Sequence, residues 1–437
     1  MRSRWLWLIL GIALAVRAAM LVPAWQDRRR TTTPDSDDYR QLARSLADRG
    51  EFGTAGRPEI FRTPGYPAFL IAADALSGTR AGTLLGQVLL DTALVLLTGL
   101  LGRLLVSLRV GLIAAAFQAL SPVAIAASCR LLSDSLYAFL LTLVVLLLIS
   151  HFKTGRRRSL IAAAVVMAAA CYVRPVGLAM AAACAVVLLF RPKRFRRAGA
   201  FAAIMIAAIA PWVARNAVVA DYVGFSSFAA DSMYRYSAPK LLAETEGITE
   251  QAAADRMLAD LHRHRQAEAL DTPGDFARYR KREALKIIAA HPWTYAKIHA
   301  RGCLAFWLPG ATDVLEVAGL TTGQRGTLTV FQRRGLVAAA RHYFEGNIAA
   351  MILAAVMSVV PAAKYFGVMV SLAKKLRPGI SAAGWLMLLL VAVGALAGGP
   401  AATARFRLAV EPLLSLAAAY GATAIVQMFQ KRRLSAS

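Results

Sequence analysis

The sequence predicts an all-α polytopic membrane protein with a bundle of about ten transmembrane helices, and three observations carry that class. Apolar residues make up 58% of the 437 positions, and the mean hydropathy is +0.52; soluble domains hold roughly half apolar residues. The apolar residues fall into repeated runs near the length of about 20 that crosses a bilayer. Alternate short gaps between these runs carry Arg and Lys with no Asp or Glu, the pattern of cytoplasmic loops.

Residues 5–24 form the first span. Arg2 and Arg4 place its start inside. A basic flank before an apolar core also fits a signal peptide, but the apolar run continues to Leu21 and no small-x-small site precedes a soluble domain, so a retained helix is expected. A first outer loop, 25–79, follows. Within it Tyr39, Leu42, Ala43, Leu46 and Ala47 recur at helical spacing, giving a short amphipathic helix laid along the membrane surface and capped by Gly50. Residues 68–76 are too short to cross and read as a second surface or re-entrant helix. Spans are then expected at 80–101, 110–127, 132–149, 160–173, 176–190 and 198–219, the last with Trp212 as an interfacial anchor.

Residues 220–346 make one long polar region on the outer side, with amphipathic helices near 249–261 and 276–293 and a more apolar surface piece at 298–308. Spans at 348–372, 380–396 and 408–429 end the chain. Three units result: 1–219 with the first outer loop, 220–346, and the C-terminal helices 347–437. The inner gaps hold Arg2, Arg4, Arg103, Arg109, Lys153, Arg156, Arg157, Arg158, Arg191, Lys193, Arg194, Arg196, Arg197, Lys374, Lys375, Arg377 and Lys431 to Arg433.

The net charge of +26, from 51 basic and 25 acidic side chains, is therefore a matter of topology and implies no nucleic acid partner. Cys129, Cys171, Cys184 and Cys303 form no CxxC pair, so neither a disulfide framework nor a zinc site is implied. No P-loop and no GxGxxG after a strand is present, and the inner gaps leave no room for a nucleotide domain. Chemistry belongs outside.

Two groups of residues could carry it. The first is the run 34–67, which opens on Asp35, Asp37 and Asp38 and closes on Arg62 before a turn with Pro64 and Pro67. Capping of the amphipathic helix by Asp35 or Ser36 competes with a catalytic role. The second is a set of arginines at outer ends of spans: Arg62, Arg130, Arg174, Arg215, Arg405 and Arg407. Any one of them can snorkel to the interface. Six on one side suit the oxygens of an anionic headgroup. Asp91, Asp134 and Glu411 are acids within spans, with Asp91 expected to make a structural ion pair. His291, His299 and His342 lack metal-binding spacing.

The segments PDSDDYRQLARSLADRGEFG and FRTPGYPAFL resemble the first outer loop of the polyprenyl-phosphate-sugar-dependent membrane glycosyltransferases of the GT-C superfamily, with protein O-mannosyltransferases and the lipid A aminoarabinose transferase as nearer relatives (glycosyltransferase family 39-like). LLSDSLYAFLL, YVRPVGL, PWVARN, HPWTYAKI and ARFRLAVEP extend the resemblance in the family's order over most of the chain. It implies a GT-C-type bundle with amphipathic juxtamembrane helices. It implies Asp35 as catalytic acid-base residue, four before Tyr39, with Asp37 and Asp38 as second choices. It implies Arg62, Arg405 and Arg407 at the donor phosphate, where Arg174 and Arg215 are expected to join them, and Tyr39, Tyr66, Arg130 and Asp134 are expected along the substrate.

The expected reaction moves a sugar from a polyprenyl-phosphate donor to a glycan, lipid or protein acceptor on the outer face, by inverting displacement with an Asp general base. No cofactor is required, and a divalent cation near Asp35 is compatible with the spacing but not demanded by it. The lipid bilayer, the donor and an acceptor are the expected partners, in the cell envelope of a bacterial inner membrane. A flippase for lipid-linked sugars would favour two matched halves; the seven-plus-three division shows none. A non-catalytic scaffold of an envelope complex would tolerate loss of the loop acids, and an O-antigen ligase or polymerase would place its arginines and a histidine late.

Overall fold

The computed structural model describes residues 4–77, 80–190, 194–267, 270–321, 327–375 and 381–434. Arg2, Arg191, Lys193 and Arg377, counted above among the inner cations, lie outside the described residues. In chain order the first half holds α1 (Arg4–Gln26), α2 (Arg28–Thr31), α3 (Pro34–Arg49), a hairpin of β1 (Gly53–Thr54) and β2 (Arg57–Pro58), α4 (Gly65–Ser77), α5 (Arg80–Leu105), α6 (Leu108–Ala119), α7 (Pro122–Ser128), α8 (Asp134–Thr154), α9 (Arg157–Val173), α10 (Gly177–Leu189) and α11 (Arg194–Ala220). The polar region contributes α12 (Phe228–Ser232), a π turn (Met233–Ser237), α13 (Ala238–Glu246), α14 (Glu250–Ala267), α15 (Pro273–Ala290), α16 (Pro292–Ala305), α17 (Ala311–Ala318) and α18 (Thr327–Tyr343). α19 (Ile348–Lys375), α20 (Ala382–Ala397), a 3₁₀ segment (Ala404–Val410) and α21 (Glu411–Leu434) complete it.

Over their described residues the ten expected spans fall mostly on helix, with a break at 120–121 and a start at 134 instead of 132. By length and composition six helices among the described residues can cross a membrane: α1, α5, α8, α11, α19 and the 3₁₀ segment continued by α21. The pair α6 and α7, bent by 58°, makes a seventh if it is counted as one broken span. α9, α10 and α20 are shorter. The bend was expected to be a straight span; Ser121 and Pro122 interrupt it, since a proline supplies no N–H and restarts the helix as its first residue.

Helix ends leave carbonyls unpaired, and the break is no exception. Arg17 of α1, fully buried, reaches it. It pairs with Asp91 of α5 and donates to the carbonyls of Ala119 at 3.0 Å and Gln118 at 3.4 Å. On the far side Ser121 Oγ donates to Glu411 Oε1 at 2.7 Å. Glu411 also pairs with Lys364 and, at 2.8 Å, with Arg407. The expected structural role of Asp91 thus has Arg17 as its partner.

α3 begins at Thr33, whose N–H donates to Ser36 Oγ at 2.9 Å, and ends at Gly50, left-handed with φ 68°. Asp35 therefore lies in the first turn and is not the cap. The apolar face was expected to rest on lipid. Instead Tyr39, Leu42 and Ala43 are buried in the protein, with Tyr39 edge-on to Tyr66 of α4 at 4.8 Å between ring centroids. α4 in turn starts in backbone contact with α9: a Cβ on Gly65 would stand 2.6 Å from the carbonyl of Tyr172. Only glycine allows that approach, and it brings the turn holding Arg62 beside Arg174.

Candidate active site

At the end of the bundle that carries the polar region, segments far apart in sequence enclose a cavity of about 600 Å³. Asp35 comes from the first turn of α3, Arg62 and Thr63 from the turn before α4, Arg130, Ser133 and Asp134 from the α7–α8 junction, Arg174 from the α9–α10 junction, and Arg405 from the 3₁₀ segment. A larger groove of about 680 Å³ between α10 and α11 is lined by apolar side chains alone, so chemistry does not reside there.

Arg62 Nη2 donates to Asp35 Oδ1 at 2.8 Å and to Asp38 Oδ2 at 2.9 Å. Its guanidinium lies 4.6 Å from the Tyr39 ring centroid, and the Tyr39 hydroxyl is 3.2 Å from Ser133 Oγ. Arg405 Nη2 is 3.5 Å from Asp35 Oδ2, and its Nε is 3.7 Å from Asp134 Oδ2. Arg174 pairs with Asp134. Arg130 bonds Glu316 Oε2 at 2.8 Å, with Asp313 at 3.9 Å. Four buried polar atoms here, Arg62 Nε, Arg405 Nε, Asp134 Oδ2 and Thr63 Oγ1, have no hydrogen-bond partner among the described residues.

Burial pushes the Asp35 carboxyl up, but Arg62, Arg405 and Arg174 outweigh it, and the group titrates below its ordinary value. Asp313 goes the other way: burial raises it, Arg130 opposes this, and Glu316 adds to the rise. The cavity thus holds two carboxyls displaced in opposite directions.

Asp35, Tyr39, Arg62, Arg130, Asp134, Arg174 and Arg405 are brought together as the sequence suggested. Asp38 reaches Arg62 from an exposed position, and Asp37 is exposed and does not line the cavity. Three other residues lie elsewhere. Arg215 donates to the carbonyls of Phe52 at 2.6 Å and Glu59 at 2.8 Å, holding the β-hairpin. Arg407 donates to the carbonyls of Phe306 at 2.8 Å and Leu308 at 2.5 Å, facing away from Arg405 because residues two apart in a 3₁₀ turn point apart. Tyr66 is buried beneath Tyr39 and bonds Gln87. Sequence reasoning missed Phe228, Tyr236, Lys240 and Asp313, which also line the cavity.

No family model and no curated protein matches this sequence. Solved structures do. The oligosaccharyltransferase of Archaeoglobus fulgidus in the apo form superposes with a TM-score of 0.55 at 14% identity, over 99% of this chain and 52% of that one. The archaeal oligosaccharyltransferase AglB from Archaeoglobus fulgidus, in complex with an inhibitory peptide and a dolichol-phosphate, gives 0.54 at 12% identity, over 99% and 51%. The chain has the GT-C fold. It spans about half the length of these archaeal chains. ArnT from Cupriavidus metallidurans bound to undecaprenyl phosphate is similar at a TM-score of 0.46 and 16% identity, over 97% and 79%. In its GT-C fold the protein is a multi-pass membrane protein whose polar cavity sits at one end of the spans.

Proposed function

We propose that the protein is a membrane glycosyltransferase that takes a sugar from a polyprenyl-phosphate donor and transfers it to a glycan, lipid or protein acceptor on the outer face of a bacterial inner membrane. One observation carries the reading: a carboxylate and three guanidiniums, Asp35 with Arg62, Arg174 and Arg405, share one cavity at the end of a membrane bundle. The fold's likeness to oligosaccharyltransferases is consistent with it.

In this reading the donor's tail lies between spans and its phosphate displaces the carboxylates from the arginines. Arg62 Nε and Arg405 Nε make no hydrogen bond among the described residues, Arg405 Nε facing Asp134 Oδ2 only at 3.7 Å, so both could turn to a phosphate. Asp35, released from its pairs, takes the proton of the acceptor hydroxyl or amine. The acceptor's heavy atom bonds the anomeric carbon from the face opposite the phosphate, and the C1–O bond breaks with its electron pair left on the phosphate. The guanidiniums stabilise that charge. A divalent cation near Asp35 is optional here.

Transfer from radiolabelled polyprenyl phosphate sugars, by purified protein in lipid with membrane extract as acceptor, tests the reading. Wild type is expected to transfer or slowly hydrolyse one donor, and Asp35→Asn to lose about 10²–10⁴-fold in rate while remaining folded. Equal rates would reduce Asp35 to a structural residue. Inertness toward every donor would move a lipid-linked sugar transporter or a scaffold ahead.

A further inference from the structure

The cavity has a second wall that the proposed chemistry leaves unused. Phe228, Ser232, Tyr236 and Lys240 follow one another at four-residue intervals along α12, the π turn and α13, and all four line it. In a pure α-helix three such steps overshoot by about 120° and the row would swing out of line. The wider π turn at Met233–Ser237 takes part of that overshoot back, as π turns at functional sites do.

The opposite face of this helix is fixed. Asp231 accepts from Ser227 Oγ at 2.6 Å and from Arg280 at 2.5 Å, and Tyr234 donates to the Met257 carbonyl at 2.6 Å. Its start is tied to the catalytic loop, with Ser227 N–H on the Ile60 carbonyl at 2.8 Å and Ser226 Oγ on that of Phe61 at 2.6 Å. The Phe228 ring packs on Phe61, next to Arg62, at 5.1 Å between centroids. The front face stays open. Phe228 is 37% and Tyr236 47% exposed. At its far end Lys240 donates to the Pro400 carbonyl at 2.6 Å, and no carboxylate pairs with it among the described residues.

We infer that this row is the acceptor subsite and that it takes an acidic pyranose: a sugar ring lying against Phe228 and Tyr236, a hydroxyl at Ser232, and a single negative charge at Lys240. Aromatic faces match the apolar C–H face of a sugar ring. A lone ammonium, a point charge without the forked geometry of the guanidiniums that line the same cavity, suits one negative charge where the arginines suit a phosphate. The inference rests on the glycosyltransferase reading and adds the acceptor's chemistry to it.

The test uses the full chain in lipid nanodiscs with saturating undecaprenyl phosphate, which occupies the arginines, and follows methyl glucuronide and methyl glucoside binding by saturation-transfer NMR. Wild type is expected to bind the glucuronide about tenfold more tightly than the glucoside. Lys240→Gln should erase that preference, Lys240→Arg should keep it and so report a folded site, and Tyr236→Ala should weaken both ligands. The inference is overturned if neither glycoside binds, if undecaprenyl phosphate displaces the glucuronide, or if Lys240→Gln binds both as wild type does. Undecaprenyl phosphate binding without glycoside binding sinks this inference alone. Absence of undecaprenyl phosphate binding takes the donor reading and the inference down together.

Discussion

Asp35 is held by the same guanidiniums that a donor phosphate would claim, and this makes its titration depend on occupancy. In the free protein its value is depressed below the ordinary 3.8, because Arg62, Arg405 and Arg174 outweigh burial. A bound phosphate neutralises those charges and adds a negative one, so the carboxyl should rise. Since kcat/KM reports the free enzyme and kcat the complex, the acid limb of kcat is expected at higher pH than that of kcat/KM. Coincident limbs would show that the arginines do not exchange partners. The same depression fixes the sign for stability: the contribution of Asp35 is full above the unfolded carboxylate value and is lost as pH falls through the lower folded one. The choice of Arg405 over Arg407 lay beyond the sequence pattern, for both sit in one motif and only the 3₁₀ geometry separates their faces.

At the scale of elements, the break between α6 and α7 depends on charges buried in the bundle. Arg17 and Asp91 are both fully buried, and Arg17 also holds carbonyls at the break. Removing one member strands the other, which costs about 3–5 kcal/mol in buried pairs. Asp91→Ala should therefore lower thermal stability in detergent sharply, and Arg17→Met with Asp91→Leu should recover most of the loss. A double variant no better than Asp91→Ala would mean that the carbonyl bonds of Arg17 dominate. The sequence announced Asp91 as a structural acid, but Arg17 was hidden inside an apolar run. α3 shows a related limit: its period and its Gly50 cap were legible, whereas the surface it rests on was not, because periodicity gives an apolar face without saying whether lipid or protein covers it.

For the whole molecule, hydropathy runs located the apolar helices, six or seven of which among the described residues are long enough to cross a membrane against about ten expected, because the bilayer imposes length on the sequence directly. Residues 25–79 and the arginines at span ends were visible as polar atoms out of place in such a pattern. The row from Phe228 to Lys240 was not, since nothing in a polar region foretells which face docks over a cavity. Two neighbouring shorter apolar helices carry a further consequence. α10 has 13 residues and α20 has 16, and the two pack on each other beside the cavity. At 1.5 Å per residue they reach about 20 and 24 Å, against a hydrocarbon core of about 30 Å. If both helices cross the bilayer, their short length favours local thinning at this flank, and in the proposed reaction the lipid would set how deep the donor rides. Turnover should accordingly fall as acyl chains lengthen from 14 to about 22 carbons in otherwise identical vesicles, with a flat profile arguing against local thinning. In the proposed reaction, hydrophobic mismatch would then act as a ligand does, through the thickness of the membrane.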